Sequence, residues 1–307
     1  MAILVVGSVA YDSIKTPSGS VEKELGGSAT HFSLAASHFT DVRVVGVVGD
    51  DFGPEQEQVF MARNIDTTGI ERADGKTFFW GGEYGENLNE AKTLFTHLNV
   101  FEKFQPKIPK EYLGTEYLFL GNIHPTLQSD VRKQMNGAKL VGGDTMNLWI
   151  DITRNELGET LKGIDILLIN DGEAKMLAKD GSVPRAANKV LDMGPKALVI
   201  KHGEYGATVF FRDGAYGLGK HPFRAPTLPL EIVKDPTGAG DSFAGGFMGY
   251  LASQGEITRQ TLKRAMFYGG VMGSFAVEDF GTRRLQRVTK QEIEDRFKTF
   301  CELTHLD

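Results

Sequence analysis

The run Asp235-Pro236-Thr237-Gly238-Ala239-Gly240-Asp241-Ser242-Phe243-Ala244-Gly245-Gly246-Phe247 contains the residues best suited to chemistry. After Gly240 the apolar spacing turns helical through Phe243, Phe247, Met248 and Leu251, and Gly255 is a plausible stop. The glycines therefore lie just before and at a helix N-terminus. Unpaired backbone N–H groups and the helix dipole make such a place an anion site, and glycine lets the backbone approach a phosphate closely. Asp241 stands at its mouth. A carboxylate there can take the proton of an attacking hydroxyl while the N–H groups hold charge on a transferred phosphoryl group. Gly238-Ala239-Gly240 also begins like a dinucleotide fingerprint, but Phe243 occupies the third glycine position and Asp241 would oppose a pyrophosphate.

The same stretch resembles the C-terminal signature of the ribokinase-like (PfkB) kinases, D-T/P-x-G-A-G-D-x-F. The resemblance implies that Asp241 is the catalytic base and that the backbone of Gly238, Ala239 and Gly240 forms the anion hole. Further elements follow in family order. Asp12, soon after the first strand, and the paired Gly26 and Gly27 are expected to bind substrate. His31 stands where the family often has Asn and is either a donor to a substrate hydroxyl or a packed helix residue. Val47-Val48-Gly49-Asp50-Asp51-Phe52-Gly53 matches a family run that ends a strand and turns into a helix. Asp144 and Asn147 match part of an acid, Asn and Arg cluster, with Trp149 in place of the arginine.

Asn170 and Glu173 resemble the N-x-x-E motif, which implies that Glu173 helps to hold Mg²⁺ through water beside the nucleotide phosphates. Lys201, Gly203 and Gly206 resemble a nucleotide-side T-x-G-x-x-G turn in which Lys201 replaces threonine. Ala265–Ala276 matches a late helix bordering the adenine pocket; plain packing explains its glycines as well. The resemblance thus implies ATP and Mg²⁺ as cofactors, and a monovalent cation such as K⁺ near Asp235 and Thr237.

The elements that would position these groups are legible as short apolar runs. Ile3–Gly7, Val42–Val48, Tyr117–Leu120, Ala138–Val141, Ile164–Ile169, Ala197–Lys201 and Thr208–Phe211 read as buried strands. Amphipathic stretches containing Ser33–His38, Ser129–Met135 and Arg185–Asp192 lie between them. The alternation predicts an α/β fold with a mostly parallel sheet and helices on both faces, the three-layer ribokinase-like architecture. Two segments, 13–25 and 69–100, depart from it and are expected to form a small β lid on a single kinase domain spanning 1–307. The second carries Phe79, Trp80 and Tyr84, aromatic residues able either to stack on a nucleobase or to form the lid's own core. Gly75-Lys76-Thr77 resembles the end of a phosphate-binding loop, but five residues separate it from Gly69 where that loop takes four.

The formal net charge of -6 lacks any basic block, which argues against nucleic acid as a partner. One cysteine, Cys301, excludes an intramolecular disulfide framework and is expected to be an ordinary helical residue. No apolar run approaches the roughly 18 residues of a spanning helix, and the N-terminus lacks a leader pattern, so a cytoplasmic location and no membrane partner are expected. The expected activity is ATP-dependent phosphorylation of a hydroxyl on a small carbohydrate, the alternative acceptor being a nucleoside. A non-catalytic nucleotide-binding regulator and a nucleotide-dependent oxidoreductase are the readings from other classes. The lid is also a candidate surface for a homodimer.

Overall fold

The computed structural model describes residues 1–217 and 219–304. From the N-terminus it runs through β1 (Ala2–Val6), β2 (Ala10–Thr16), β3 (Gly19–Gly26), α1 (Ser28–Ala36), β4 (Asp41–Val48), α2 (Pro54–Met61), β5 (Asp66–Arg72), β6 (Phe78–Tyr84) and β7 (Ala91–His97). It continues with β8 (Tyr117–Leu120), α3 (Pro125–Gln134), β9 (Leu140–Gly143), α4 (Asn147–Ile152), α5 (Arg154–Leu161), β10 (Ile166–Asn170), α6 (Asp171–Ala178) and α7 (Val183–Leu191). The last part holds β11 (Ala197–Lys201), β12 (Ala207–Phe211), β13 (Phe223–Ala225), α8 (Ala239–Gln254), α9 (Arg259–Ala276), α10 (Arg283–Arg287) and α11 (Lys290–Glu302).

Nine strands form one sheet in the order β13-β12-β11-β10-β9-β8-β1-β4-β5. Pairing from β11 to β5 is parallel, whereas β12 is antiparallel to both β11 and β13. Parallel strands need a long crossover; residues 202–206 between β11 and β12 are too few for one, so the chain reverses direction. Along β1, Ile3 and Val5 enter one core while Leu4 and Val6 enter the other. Residues of α1, α8, α9 and α11 fill the first core, and α3, α5, α6 and α7 fill the second. A sheet covered on both faces favours continuous apolar strands over alternating ones, which is why these strands could be read from the sequence.

The chain winds outward from β1 through β4 to β5 on one side and from β8 through β9 to β11 on the other. The strand order therefore switches between β1 and β8, and the crevice outside the carboxyl ends of the strands is where such sheets bind ligands.

A second sheet, β3-β2-β6-β7, forms the lid. Its boundaries differ from the sequence expectation. The first segment extends over Ala10–Gly26, because the hairpin pairs from Ala10↔Gly26 to Thr16↔Gly19. In the second, Gly69–Arg72 lies in β5 at the edge of the main sheet, parallel to β4. This edge strand is largely solvent-facing and lacks the apolar run that marked the others. The turn after β4 anchors the lid's base: Asp51 Oδ1 accepts from the Thr77 N–H at 2.8 Å, and Asp50 Oδ2 from that of Gly75 at 3.0 Å. Gly49 N–H donates to Thr77 Oγ1.

Candidate active site

Helix α8 begins at Gly238, whose φ of 72° is left-handed and suits glycine. The N–H of Ala239 donates to the Pro236 carbonyl at 3.2 Å. Those of Gly240 and Asp241 have no backbone partner among the described residues, as expected in a first helical turn. Of the three expected anion-hole residues Gly238, Ala239 and Gly240, Ala239 spends its N–H on closing the turn, so the N–H groups open to an anion there are those of Gly240 and Asp241. Asp235 shapes the approach: its Oδ1 accepts from the Thr237 N–H and its Oδ2 from that of Gly281, each at 2.8 Å.

Helix α1 brings the acceptor-side residues to the same point. A Cβ on Gly245 of α8 would meet the Phe32 carbonyl at 2.3 Å, and one on Gly249 would meet the Ala36 Cα at 3.0 Å. These small residues, one turn apart on one face, let α1 and α8 approach closely. The His31 ring consequently lies flat against Gly238, three of its atoms 2.3–2.4 Å from where a Cβ would stand. His31 is buried, and neither ring nitrogen has a partner among the described residues. Burial pulls its pKa down to about 4, so the ring is neutral at physiological pH, with one nitrogen to donate and one to accept.

Asp12 lies on β2, 5% exposed. Its Oδ2 occupies the space over Gly26, 1.9 Å from where a Cβ would be. Burial, then the charge of Asp235, pushes its carboxyl up to about 7, against a hydrogen bond from the Gly27 backbone. Gly27 precedes α1, where a Cβ would stand 2.5 Å from the Ser8 carbonyl, and the Ser8 and Ser28 side chains tie the loop after β1 to the start of α1. Asp12, Gly26, Gly27 and His31 thus share one region facing the start of α8.

The carboxyl ends of β9, β10 and β11 contribute charge. Asp144 follows β9, and Lys201 ends β11 in register with Asn170 at the end of β10. Asn170 and Glu173 form a reciprocal cap for α6: Asn170 Oδ1 accepts from the Glu173 N–H and Glu173 Oε2 from the Asn170 N–H, both at 2.8 Å. Glu173 is 8% exposed, and burial, followed by repulsion from Asp144, lifts its carboxyl to about 7. Burial likewise raises Asp241 to about 7, with Asp144 adding to the rise and Lys201 opposing it.

Among the described residues no group of three or more His, Cys, Asp or Glu side chains could hold a metal alone. Mg²⁺ keeps several waters and binds through phosphates and one or two carboxylates. Glu173, with Oε1 free of hydrogen bonds among the described residues, fits that part.

The lid supplies the remaining wall. Asp12 pairs with Trp80 in the register of β2 and β6, so the two share a face, and Tyr84 lies on it four residues on. The Trp80 ring rests over Gly82 between them, and Trp80 Nε1 donates to Thr93 Oγ1 at 3.3 Å. Thr237 Oγ1 donates to the Tyr84 hydroxyl at 3.1 Å, closing the lid onto the loop before α8. Phe79 points the other way. It packs edge-on against Phe95 beside His97, on the face it shares with Tyr11. The aromatics of β6 therefore divide: Trp80 and Tyr84 share the face of Asp12, Phe79 packs on the opposite face with Tyr11 and the main core, and Phe78 stacks on Phe101 at the lid's base.

The other nucleotide-side glycines have close neighbours of their own. Gly203 lies against Asn89 from the β6–β7 loop, and Gly206 packs on Ala225 and Pro226. Asn147 is exposed at the start of α4 and stands apart from the buried cluster. Trp149 donates to Asn122 Oδ1 at 2.9 Å and packs on His124, so no cation comes from that segment. In α9, Gly269 packs on Phe243, Gly270 on Phe300 and Gly273 near the Ala239 carbonyl, so helix packing accounts for all three. Sequence reasoning missed the Tyr84–Thr237 latch and the placement of Lys201. A lysine where the resembling motif has threonine was the available signal for the second.

Residues 2–288 match the model of the pfkB family of carbohydrate kinases. The cytidine kinase of Thermococcus kodakarensis is 30% identical over 271 residues, covering 86% of this chain and 94% of that protein. Among solved structures, the ribokinase of Giardia lamblia superposes with a TM-score of 0.80 at 18% identity, over 97% of this chain and 98% of the other. The nucleoside kinase of Methanocaldococcus jannaschii gives 0.76 at 19%, with the same coverage.

Proposed function

The chain belongs to the pfkB family of carbohydrate kinases, and from that premise we propose that its acceptor is a nucleoside, phosphorylated at the expense of ATP. The observation that carries this reading is the lid's inner face, where Asp12, Trp80 and Tyr84 lie together opposite the start of α8. An aromatic ring laid flat over a glycine offers its face to a planar base, and a carboxylate beside it can accept hydrogen bonds from ribose hydroxyls. The 30% identity to a cytidine kinase supports the same choice over a free sugar.

In the proposed reaction Asp12 and the Gly26–Gly27 backbone hold the ribose, and His31 exchanges a hydrogen bond with one of its hydroxyls. Asp241 takes the proton of the attacking hydroxyl. The N–H groups of Gly240 and Asp241 stabilise charge on the γ-phosphoryl group. Mg²⁺ bound beside Glu173 would neutralise phosphate charge. Gly203, with Asn89 against it, and Gly206 would border the nucleotide. The Tyr84–Thr237 latch would exclude water, limiting loss of ATP to hydrolysis. ATP as donor favours the cytoplasm. K⁺ stimulation belongs to the proposal through the loop around Asp235 and Thr237, and a homodimer through the lid.

ADP release with Mg-ATP and a panel of cytidine, uridine, adenosine, inosine and ribose tests the acceptor. A nucleoside is expected to exceed ribose in kcat/KM by about a hundredfold or more; preference for ribose would overturn the assignment. Base stacking on one aromatic is worth roughly 1–3 kcal/mol, so Trp80→Ala should raise the nucleoside KM by about tenfold or more, with little change for ribose. An equal effect on both acceptors would remove Trp80 from base recognition.

The raised pKa of Asp241 has a consequence for pH dependence. A base must be ionised, and burial with Asp144 nearby pushes this carboxyl up to about 7. The kcat/KM should therefore fall as pH drops through about 7, because that profile reports the free enzyme. Activity that stays flat down to pH ~5 would contradict the environment described for Asp241.

A further inference from the structure

Lys201 is the cation that opposes the rise in the Asp241 pKa. Its side chain is 16% exposed and runs from the end of β11 to the start of α8. Its Nζ lies 2.8 Å from where a Cβ on Gly240 would stand, directly over the turn whose N–H groups are unpaired. The nearest carboxylate oxygen, Asp144 Oδ2, is 3.8 Å away, beyond hydrogen-bond distance, and Nζ makes no hydrogen bond among the described residues. Burial works against the ammonium, but Asp144, Glu173 and Asp241 outweigh it and hold it charged.

An ammonium carries three donors, and a largely buried one without acceptors is costly. Here all three donors are available at a point where two backbone N–H groups also converge. Three phosphoryl oxygens would satisfy them, whereas the carboxylates alone do not. The segment around Trp149 supplies no arginine to that place.

We propose that Lys201 contacts the γ-phosphoryl group of ATP during transfer, as the protein's own cation at the reacting phosphorus. The acceptor hydroxyl oxygen bonds to the γ-phosphorus as the bond to the β,γ-bridging oxygen breaks. The hydroxyl proton passes to Asp241, and the electron pair of the broken bond leaves on ADP. Lys201 stays protonated throughout and follows the charge on the oxygens. The inference rests on Gly238–Asp241 being the phosphoryl site.

The test compares binding of ADP and of an imido-linked, non-hydrolysable ATP analogue, by calorimetry with Mg²⁺, in wild type, Lys201→Met and Lys201→Arg. Steady-state kinetics and melting temperature accompany it. Lys201→Met is expected to weaken the analogue by about tenfold while ADP changes less than about threefold, and to lower kcat more than it raises the ATP KM. Lys201→Arg should recover part of both losses.

A structural role would weaken both nucleotides equally or neither, and either result overturns the assignment. If Lys201→Met does not fold, Lys201→Gln, of similar length and uncharged, carries the same comparison. Near-normal turnover in Asp241→Asn would instead take Asp241 out of the base role on which the proposed reaction rests, a failure separate from that of Lys201.

Discussion

Asp241→Asn should lower kcat by about a thousandfold or more while leaving ATP affinity within a few-fold of wild type. The substitution keeps the shape of the side chain at the first turn of α8 but removes its capacity to take a proton. A positioned general base contributes typically 10²–10⁴ in rate. Lys201 and the Gly240 and Asp241 N–H groups remain in place, so the triphosphate keeps its contacts, and one negative charge beside it is lost. The measurement is kcat from ADP release with the best nucleoside, together with calorimetric ATP binding. Turnover within tenfold of wild type would take Asp241 out of the base role. A parallel collapse of ATP affinity would make it a binding residue.

Gly238→Ala is the second large effect expected, and its cause is steric. The residue sits at φ 72°, where an L side chain is strained, and a Cβ would fall 2.3–2.4 Å from three atoms of the His31 ring. The ring cannot retreat, because His31 is buried on a helix held against α8 through Gly245 and Gly249. The loop must therefore move, taking the N–H groups of Gly240 and Asp241 with it. Removing one oxyanion donor costs about 10²–10³ in kcat, and a loss of that order is expected here. His31→Ala in the same chain should restore only part of it, since the ring clash is relieved but the left-handed backbone is not. An unchanged kcat with an unchanged melting temperature in Gly238→Ala would show that the turn tolerates a side chain and that His31 does not fix it.

What could be read in the sequence was local. The proposed anion site and proposed base lie within one turn of α8, so residue order alone places Gly238, Gly240 and Asp241 together. The strands of the main sheet are buried on both faces, so their apolar runs stand out; Tyr117–Leu120 and Ala197–Lys201 carry the expected limits. Strand β5 lacks such a signal because an edge strand half open to water needs no apolar run, so its Gly69–Arg72 part reads as lid in the sequence. Asn170 and Glu173 were legible for the same reason, since a reciprocal helix cap lies within four consecutive residues.

The sequence by itself determined the α/β architecture, through buried apolar runs alternating with helical stretches, and the family, through the resemblance of Asp235–Phe243 to that family's signature; the chemistry expected at Asp12 came with the same resemblance, and that at Asp241 from its place at a glycine-rich helix start. Tertiary structure decided which side chains meet. That Trp80 faces Asp12 while Phe79 packs on the opposite face with Tyr11 depends on the register between β2 and β6, and a slip of one residue would reverse them. That His31 lies on Gly238, and Lys201 over Gly240, depends on how closely α1 and the end of β11 pack against α8. Such contacts join residues distant in the chain, and only the packing of the folded core fixes them.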